Sequence, residues 1–418
     1  MAATKSSTST LHPRFIAVLL LSLCLLFWLF LWLWQDDARM LLPSRLSLSS
    51  ADTSNEPSIN PPVAASSNSN TSTLCNPETF NIGKWVHHPL HLKQNTIKSF
   101  EQATGYHCRQ RFAHKCYARS DNREFTRSIH IMDYQWQPSE CETLPMEPSA
   151  FVDHLQKHAL LFVGDSITQL QYESLHCLLG RYVTPAKVDD NLSGGDSHIK
   201  IDKLVSNRGP STPADKPAVA FLRSDYLIRL DDFKMIGPFE DEGDQMGRGH
   251  NFPWVHALNM FDYIVINTGP HWHPNLKWGP HRSDEEMLES FEKAMAVVFD
   301  YLKVHVQPHQ RIWVRSTPYG HAKCSQYTSP QKTAVAPTGQ PGEYEWHIFK
   351  AFDRVWKEWI TKEQDERFQF LNVSLSNTRG DTHSRPDKDC LHTCIPGPVD
   401  EWNRLLYHEI AKSQLPSS

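Results

Sequence analysis

The chain has 418 residues, of which 39% are hydrophobic and 21% are charged, and its net charge is −5. This composition is typical of a globular protein and excludes a wholly disordered chain. The small acidic excess provides no basic surface of the kind that holds a phosphate backbone, so we expect no nucleic-acid partner.

The first element is an apolar run at 15–34 that contains no charged residue. Twenty residues are enough to cross a hydrocarbon core of about 30 Å as a helix. A cleaved signal peptide is the alternative, but its apolar run is usually about 7 to 15 residues long, and no small-x-small site follows closely here. Lys5 and Arg14 precede the run and two aspartates follow it. The positive-inside rule therefore predicts a cytosolic tail at 1–14, a transmembrane anchor, and a luminal remainder, which is type II topology.

Residues 35–74 are rich in Ser, Asn and Pro and poor in aromatic residues, which predicts an unfolded luminal stem. Asn70, Asn191 and Asn372 each begin an Asn-x-Ser/Thr sequon and are candidate glycosylation sites. A luminal location fits both features.

Beyond the stem, a cysteine-containing segment at 75–145 precedes a domain at 146–418 in which apolar runs alternate with helical patterns. The predicted strands are 160–163, 219–222, 263–266, 312–314 and 368–371, and the principal predicted helices are 167–179, 285–304, 345–360 and 399–411. Alternating strands and helices predict an α/β fold with a doubly wound, mostly parallel sheet. Ligands bind such sheets at the carboxyl ends of the strands.

Gly164-Asp165-Ser166 follows the first of these strands and begins a helix. That position supplies free backbone N–H groups and the positive end of the helix dipole, both of which favour an oxyanion. The alternative reading of Ser166 is a helix N-cap. A second Gly-Asp-Ser at 195–197 has no strand before it and is predicted to be a turn.

Asp389-Cys390-Leu391-His392 lies just before the last predicted helix. Histidine has a reference pKa of about 6.5, so a neutral imidazole is available near pH 7 to take the serine proton. Asp389 can hold the other ring nitrogen and select the tautomer. The alternative readings of His392 are a loop histidine and a zinc ligand together with Cys390 and Cys394.

The order of the two motifs, with the serine at a strand-to-helix turn near the start of the domain and Asp-x-x-His at its end, resembles that of the SGNH (GDSL) hydrolases. A closer resemblance, to the trichome-birefringence-like proteins of the PC-esterase group, rests on matching stretches from Cys75 to about Ile410. They include Gly83-Lys84-Trp85-Val86, Tyr134-Gln135-Trp136-Gln137-Pro138, Phe162-Val163-Gly164-Asp165-Ser166 with Glu173-Ser174-Leu175-His176-Cys177, Phe221-Leu222-Arg223-Ser224, Asn267-Thr268-Gly269 with His271-Trp272, and Asp389 to Asn403. Two departures, Gln169-Leu170 where plant members usually have Arg-Asn and the inserted Pro270, indicate a divergent branch.

The chain contains nine cysteines, one of which, Cys24, lies in the predicted anchor. The other eight form an even set for an oxidising lumen, and eight cysteines allow about 105 pairings. The resemblance implies four pairs: Cys75 with Cys141, Cys108 with Cys177, Cys116 with Cys394, and Cys324 with Cys390. The N-terminal segment is then a disulfide-linked extension of an SGNH/GDSL-like domain.

Further site residues are expected at the sheet edge. Asn267 occupies the position where SGNH-type enzymes place an asparagine oxyanion donor, beside the Ser166 N–H; its alternative is a loop-capping side chain. His271 and Trp272 are expected to line an acceptor groove, because aromatic faces pack on sugar rings, and Arg223 is assigned to substrate binding with them. We expect no metal site at the histidine clusters.

The sequence thus predicts a Golgi-membrane O-acetyltransferase that acts on a polysaccharide or glycan through Ser166, His392 and Asp389. No bound cofactor is expected, and acetyl-CoA or another acetylated carrier serves as donor. The alternatives are a luminal acetylesterase with the same catalytic residues and a catalytically idle glycan-binding protein.

Overall fold

The computed structural model describes residues 73–185, 199–205, 217–231, 234–237, 254–273 and 280–414. The predicted anchor at 15–34, the stem up to residue 72, and the sequons at Asn70 and Asn191 lie outside these residues. No helix within the described ranges has the length and apolar character needed to span a bilayer. Asn372, which begins the third sequon, lies within the described residues, and its side-chain amide donates to Glu78 Oε2 at 2.8 Å.

The central sheet has seven strands in the order β11-β10-β9-β3-β6-β5-β4. Five strands, from β11 to β6, are parallel, whereas β5 and β4 are antiparallel to their neighbours. These strands are β3 (Leu160–Gly164), β4 (Val183–Pro185), β5 (Ile199–Leu204), β6 (Val219–Arg223), β9 (Tyr263–Asn267), β10 (Arg311–Arg315) and β11 (Phe368–Leu371). The predicted mostly parallel α/β sheet is confirmed, and all five predicted strands belong to its parallel part.

Three antiparallel pairs lie outside the central sheet. They are β1 (Gly83–His87) with β2 (Tyr134–Pro138), β7 (Arg229–Asp231) with β8 (Lys234–Gly237), and β12 (His383–Arg385) with β13 (Asp389–Thr393). The third pair carries the Asp-x-x-His motif.

Helices cover both faces of the central sheet. They are α1 (Pro77–Phe80), α2 (Ile97–Thr104), α3 (Asn122–Met132), α4 (Pro148–Leu155), α5 (Ser166–Leu178), α6 (Asp284–His305), α7 (Phe349–Glu363) and α8 (Val399–Lys412). The four principal predicted helices correspond to α5, α6, α7 and α8.

Alternate residues of β3 separate the two layers of the core, as the two-residue period of a strand requires. Leu160 and Phe162 pack in one apolar cluster with α5 and α8, whereas Leu161 and Val163 pack in the other with α6 and α7. All four side chains are fully buried. The sheet is therefore doubly wound, and a strand buried on both faces reads as a continuous apolar run.

The N-terminal segment is joined to this domain covalently. The four disulfides are Cys75–Cys141, Cys108–Cys177, Cys116–Cys394 and Cys324–Cys390. All four predicted pairings are confirmed. Two of them connect the segment to the domain, at α5 and immediately before α8.

Candidate active site

Ser166 is positioned by a tight turn between β3 and α5. Gly164, the last residue of β3, has a φ of +153°, and a Cβ added there would lie 2.3 Å from the Asn267 carbonyl oxygen. Only glycine fits such a close approach of two backbones. Asp165 caps α5 by accepting the Ile167 N–H at 2.9 Å. Ser166 is consequently the first residue of α5, where backbone N–H groups have no intrahelical partner.

The structure brings Ser166, His392 and Asp389 into one hydrogen-bonded chain. His392 Nε2 lies 2.8 Å from Ser166 Oγ, and His392 Nδ1 lies 2.8 Å from Asp389 Oδ2. A carboxylate only accepts, so Nδ1 donates to Asp389, and Nε2 is left to accept the serine hydroxyl proton. This is the arrangement that makes a serine hydroxyl nucleophilic.

Asp389 is held in its ionised form. Partial burial opposes ionisation, but the hydrogen bond and charge interaction with His392, together with the backbone N–H groups of Leu391 and His392, keep its pKa well below the usual range. Both N–H groups donate to Oδ1 at 3.1 Å. One carboxylate therefore orients the imidazole through Oδ2 and binds the backbone of its own strand through Oδ1.

The strand β13 that carries His392 is anchored on both sides. β12 pairs with it, placing His383 opposite Thr393 and Arg385 opposite Asp389. The disulfides of Cys390 and Cys394 attach it to two other parts of the chain. Because both sulfurs are in disulfides, neither is a thiolate, and the zinc alternative at Cys390, His392 and Cys394 lacks its sulfur ligands.

Another group of possible metal ligands among the described residues is Cys116, Glu124 and Cys394. Its two sulfurs form a disulfide with each other. Glu124 forms ion pairs with Arg119 at 3.0 Å and with Arg127 at 2.9 Å. This cluster stabilises the junction between α3 and the loop before α8, and its donor set does not suit a metal ion.

A histidine that the sequence did not single out lies against His392. His114 stacks on His392 with ring centroids 4.8 Å apart and planes inclined by 10°. Its Nδ1 lies 2.7 Å from Ser384 Oγ on β12. The only signal in the sequence was its neighbour Cys116, whose predicted bond to Cys394 brings this part of the chain close to His392.

Asn267 lies at the expected edge but is engaged inside the protein. It is fully buried, opposite Gly164 in the sheet. Its side-chain nitrogen donates to the Arg315 carbonyl oxygen at 2.7 Å and to Thr317 Oγ1 at 2.9 Å, and its Oδ1 accepts from Arg315 Nη2 at 2.9 Å. Both amide hydrogens are used, so this geometry does not present the oxyanion donor that the sequence predicted.

Trp272 does not line a groove. It is fully buried, its indole N–H donates to Thr268 Oγ1 at 3.0 Å, and its ring packs edge-on against Phe291 with centroids 5.1 Å apart. A sugar cannot stack on it, so this prediction is wrong. A Trp-rich apolar core needs aromatic rings as much as a groove does, and the sequence pattern does not distinguish the two.

Arg223 and His271 lie together beside the sheet edge. Arg223 Nε donates to Asp225 Oδ1 at 2.6 Å, and Arg223 Nη2 is 3.4 Å from His271 Nε2. His271 is also 3.5 Å from Asp225 Oδ1, and its side chain is 33% exposed. These partners leave His271 available to a ligand through its exposed part.

A pocket of about 190 Å³ borders Asp389. It combines aromatic faces with charged groups. Its lining residues are Pro270, His273, Tyr344, Glu345, Trp346, Phe349, Lys388, Asp389, Cys390 and Leu391. Tyr344 is 65% exposed and has a φ of +51°, which a bulky residue rarely adopts.

The chain matches a family model, and it is similar to several known proteins. A family model described as "PC-Esterase: GDSL/SGNH-like Acyl-Esterase family found in Pmr5 and Cas1p" matches residues 144–409. Protein trichome birefringence-like 25 of Arabidopsis thaliana is 24% identical over 322 residues, covering 66% of this chain and 67% of that protein. Xyloglucan O-acetyltransferase 1 of Arabidopsis thaliana is 24% identical over 313 residues, covering 65% and 69%. Axe2, an acetylxylan esterase from Geobacillus stearothermophilus, aligns at 11% identity and a TM-score of 0.30, covering 60% of this chain and 93% of that one.

Proposed function

Because the chain belongs to the PC-Esterase family of GDSL/SGNH-like acyl-esterases, we propose that it is an O-acetyltransferase that acetylates hydroxyls of a polysaccharide or glycan through an acyl-serine. The family match confirms the predicted resemblance to the PC-esterase group. The observation that carries the proposal is the unbroken hydrogen-bonded chain from Asp389 through His392 to Ser166. A polysaccharide acceptor is supported by the relative named xyloglucan O-acetyltransferase 1.

In the first half-reaction, His392 Nε2 takes the Ser166 hydroxyl proton while Oγ attacks the acetyl carbonyl of the donor. The ionised Asp389 stabilises the imidazolium that forms. His392 then returns the proton to the leaving group, which is the thiol of coenzyme A if acetyl-CoA is the donor. The products are an acetyl-serine and the free carrier.

In the second half-reaction, His392 takes the proton of a sugar hydroxyl and that oxygen attacks the acetyl-serine. Collapse of the tetrahedral intermediate releases the acetylated sugar, and the proton on His392 returns to Ser166 Oγ. Both oxyanions would lie at the N-terminus of α5. The Ser166 N–H and the helix dipole stabilise negative charge there, with no contribution from the side-chain N–H groups of Asn267.

We place the acceptor in the pocket beside Asp389. Tyr344 supplies an exposed aromatic face for a sugar ring, and Lys388 and Glu345 supply polar partners for hydroxyl groups. The test is Tyr344→Asn, because asparagine tolerates a positive φ and removes the ring. We expect a higher KM for the acceptor with an unchanged rate of acetyl-serine formation. An unchanged acceptor KM would place the sugar elsewhere.

We propose a Golgi-membrane protein of type II topology with its catalytic domain in the lumen. The four disulfides support an oxidising compartment, and the apolar run at 15–34 is the proposed anchor. Glycosylation at Asn70, Asn191 and Asn372 belongs to the same proposal. Protease protection of the domain in sealed Golgi vesicles tests it, and cleavage without detergent would refute it.

Acetylester hydrolysis is the second candidate function, favoured by the acyl-esterase description of the family. The two activities differ in whether water or a sugar hydroxyl reaches the acetyl-serine first. Mass spectrometry of the disulfide-intact protein with acetyl donor and an oligosaccharide panel distinguishes them. Acetylated oligosaccharide as the main product supports transfer. Donor consumption that acceptors leave unchanged, with rapid Ser166-dependent deacetylation of acetylated glycans, supports hydrolysis.

A catalytically idle glycan-binding protein is the remaining alternative. A fluorophosphonate probe, which reacts with activated serines, tests it directly. Labelling that is lost in Ser166→Ala supports an active enzyme. Absence of labelling in the folded wild-type protein supports the idle alternative.

A further inference from the structure

His114 covers one face of the His392 ring, whereas Ser166 and Asp389 contact only the ring nitrogens at its edge. The two ring nitrogens are held edge-on at 2.8 Å each, and such contacts leave the ring free to tilt about the line that joins them. A ring parallel to within 10°, with its centroid 4.8 Å away, covers the flat face and opposes that tilt.

His114 is itself held by the structure that carries His392. Its Nδ1 lies 2.7 Å from Ser384 Oγ, and its carbonyl oxygen accepts the Ile395 N–H at 2.9 Å. Ser384 belongs to β12, which pairs with the strand of His392. Two residues after His114, the Cys116–Cys394 disulfide joins the same two parts of the chain. Both rings are therefore anchored to the β12–β13 pair.

His114 remains neutral while the chemistry takes place. Burial, followed by the charge of His392, lowers its pKa to about 3. Asp389 acts in the opposite direction, and Arg385 and Arg119 act in the same direction as burial. A neutral ring neither repels a protonated His392 strongly nor competes with it as a base.

We propose that His114 is a positioning residue that holds the His392 imidazole in the plane shared by Ser166 Oγ and Asp389 Oδ2. The N-terminal segment 75–145 is then part of the active site, because one of its side chains completes the environment of the base. The inference rests on the proposed function and adds a residue to it.

The experiment uses three variants and a matched control. His114→Ala removes the ring, His114→Phe keeps a ring face without the nitrogen atoms, and Ser384→Ala removes the side-chain anchor. His154→Ala is the control, since His154 stacks on His158 at 4.6 Å at the opposite end of the central sheet and has a pKa that burial lowers to about 4. The probe is 4-nitrophenyl acetate, with kcat and KM measured for the disulfide-intact protein.

We expect His114→Ala to lower kcat by roughly 10- to 100-fold with KM changed less than about threefold, because misplacement of a base affects the chemical step. His114→Phe should recover most of that loss, and His154→Ala should match the wild type. Equal kcat in His114→Ala and His154→Ala would overturn the proposal. So would a His114→Phe variant no faster than His114→Ala.

If His114→Ala does not fold, Ser384→Ala carries the test. We then expect kcat to fall severalfold at unchanged KM, and an unchanged kcat would overturn the proposal. Ser166→Ala separates this outcome from a failure of the proposed function. Turnover that survives in Ser166→Ala refutes the acyl-serine itself, whereas Ser166-dependent turnover that ignores His114 refutes only the positioning role.

Discussion

Each end of the central sheet contains histidine, carboxylate and hydroxyl side chains, but their hydrogen bonds connect them differently. At the carboxyl end, Asp389 and Ser166 bind the two nitrogens of one imidazole. At the amino end, Asp262 lies 2.7 Å from His158, and the Tyr263 hydroxyl lies 2.9 Å from His154. The strands that separate the two ends rise roughly 13 Å.

At the amino end, the Asp262 carboxylate contacts the His158 ring, whereas the Tyr263 hydroxyl contacts the His154 ring. The two rings only stack on each other. A proton cannot pass from the hydroxyl to a base that the carboxylate supports. Burial, followed by the charge of Asp262, also raises the pKa of Tyr263 to about 12, which makes this hydroxyl a poor acid. Residue types alone therefore do not distinguish the two ends; the candidate catalytic site is the end at which one ring connects the hydroxyl to the carboxylate.

The largest expected effect is that of removing the hydroxyl at each end. Ser166→Ala should lower kcat on the order of 10⁶-fold, because no other described group is placed to carry the acetyl. Tyr263→Phe should leave kcat unchanged. Turnover with acetyl donor and intact-mass detection of the acetyl-enzyme measure both, with Ser197→Ala as a control from the second Gly-Asp-Ser. Comparable losses in Ser166→Ala and Ser197→Ala would contradict the assignment.

Removing the carboxylate charge is expected to come next. Asp389→Asn should lower kcat by about 10³- to 10⁴-fold with little change in substrate KM. The imidazole would lose the carboxylate that selects its tautomer and stabilises its positive charge. Asp262→Asn should have no effect on turnover. Steady-state kinetics of the two variants measure the difference, and similar kcat values would remove the distinction between the two ends.

A smaller effect concerns acid pH. A general base works only in its unprotonated form, so kcat should fall towards acid pH. Asp389 should not contribute, because a carboxyl whose folded-state pKa lies below its usual range stays ionised between about pH 5 and 8. The acid limb of the kcat profile should therefore follow one proton. An acid limb whose slope requires more than one proton would contradict this interpretation. So would a flat profile under conditions where chemistry is rate-limiting.

The smallest effect is on stability at the amino end. The pKa of His154 is about 4 when folded, below the reference value of about 6.5, so the unfolded chain binds the extra proton between these values. Stability from this group is complete above about pH 6.5 and is lost as the pH falls towards 4. His154→Phe should reduce the fall of Tm over that range without changing kcat. An unchanged pH dependence of Tm would show that other groups dominate.

The sequence was most informative where a pattern is local. The five parallel strands are short apolar runs, and a strand buried on both faces requires that composition. It was silent about β4 and β5, because Val183–Pro185 has only three residues and Ile199–Leu204 mixes apolar with charged ones. The disulfide pairing came from the family resemblance, since spacing alone leaves many alternatives.

Side-chain direction was the part that the sequence could not provide. Asn267 lies at the predicted edge, but the buried Arg315 and Thr317 take up its amide, and neither partner is near it in the chain. Trp272 follows the same strand, but its ring packs into the core. His114 reaches His392 from a segment almost 280 residues away. Each outcome depends on tertiary neighbours that no local pattern encodes.

The distance along the chain between nucleophile and base has a consequence for biosynthesis. Ser166 and His392 are separated by 226 residues, and the Cys116–Cys394 disulfide joins cysteines 278 residues apart. At ribosomal rates, roughly 10 to 45 s pass between the synthesis of the serine and that of the histidine. Under the proposed mechanism, the nascent chain holds the nucleophile without its base during that interval. Acyl transfer by that mechanism therefore begins only when translation of the domain is almost complete.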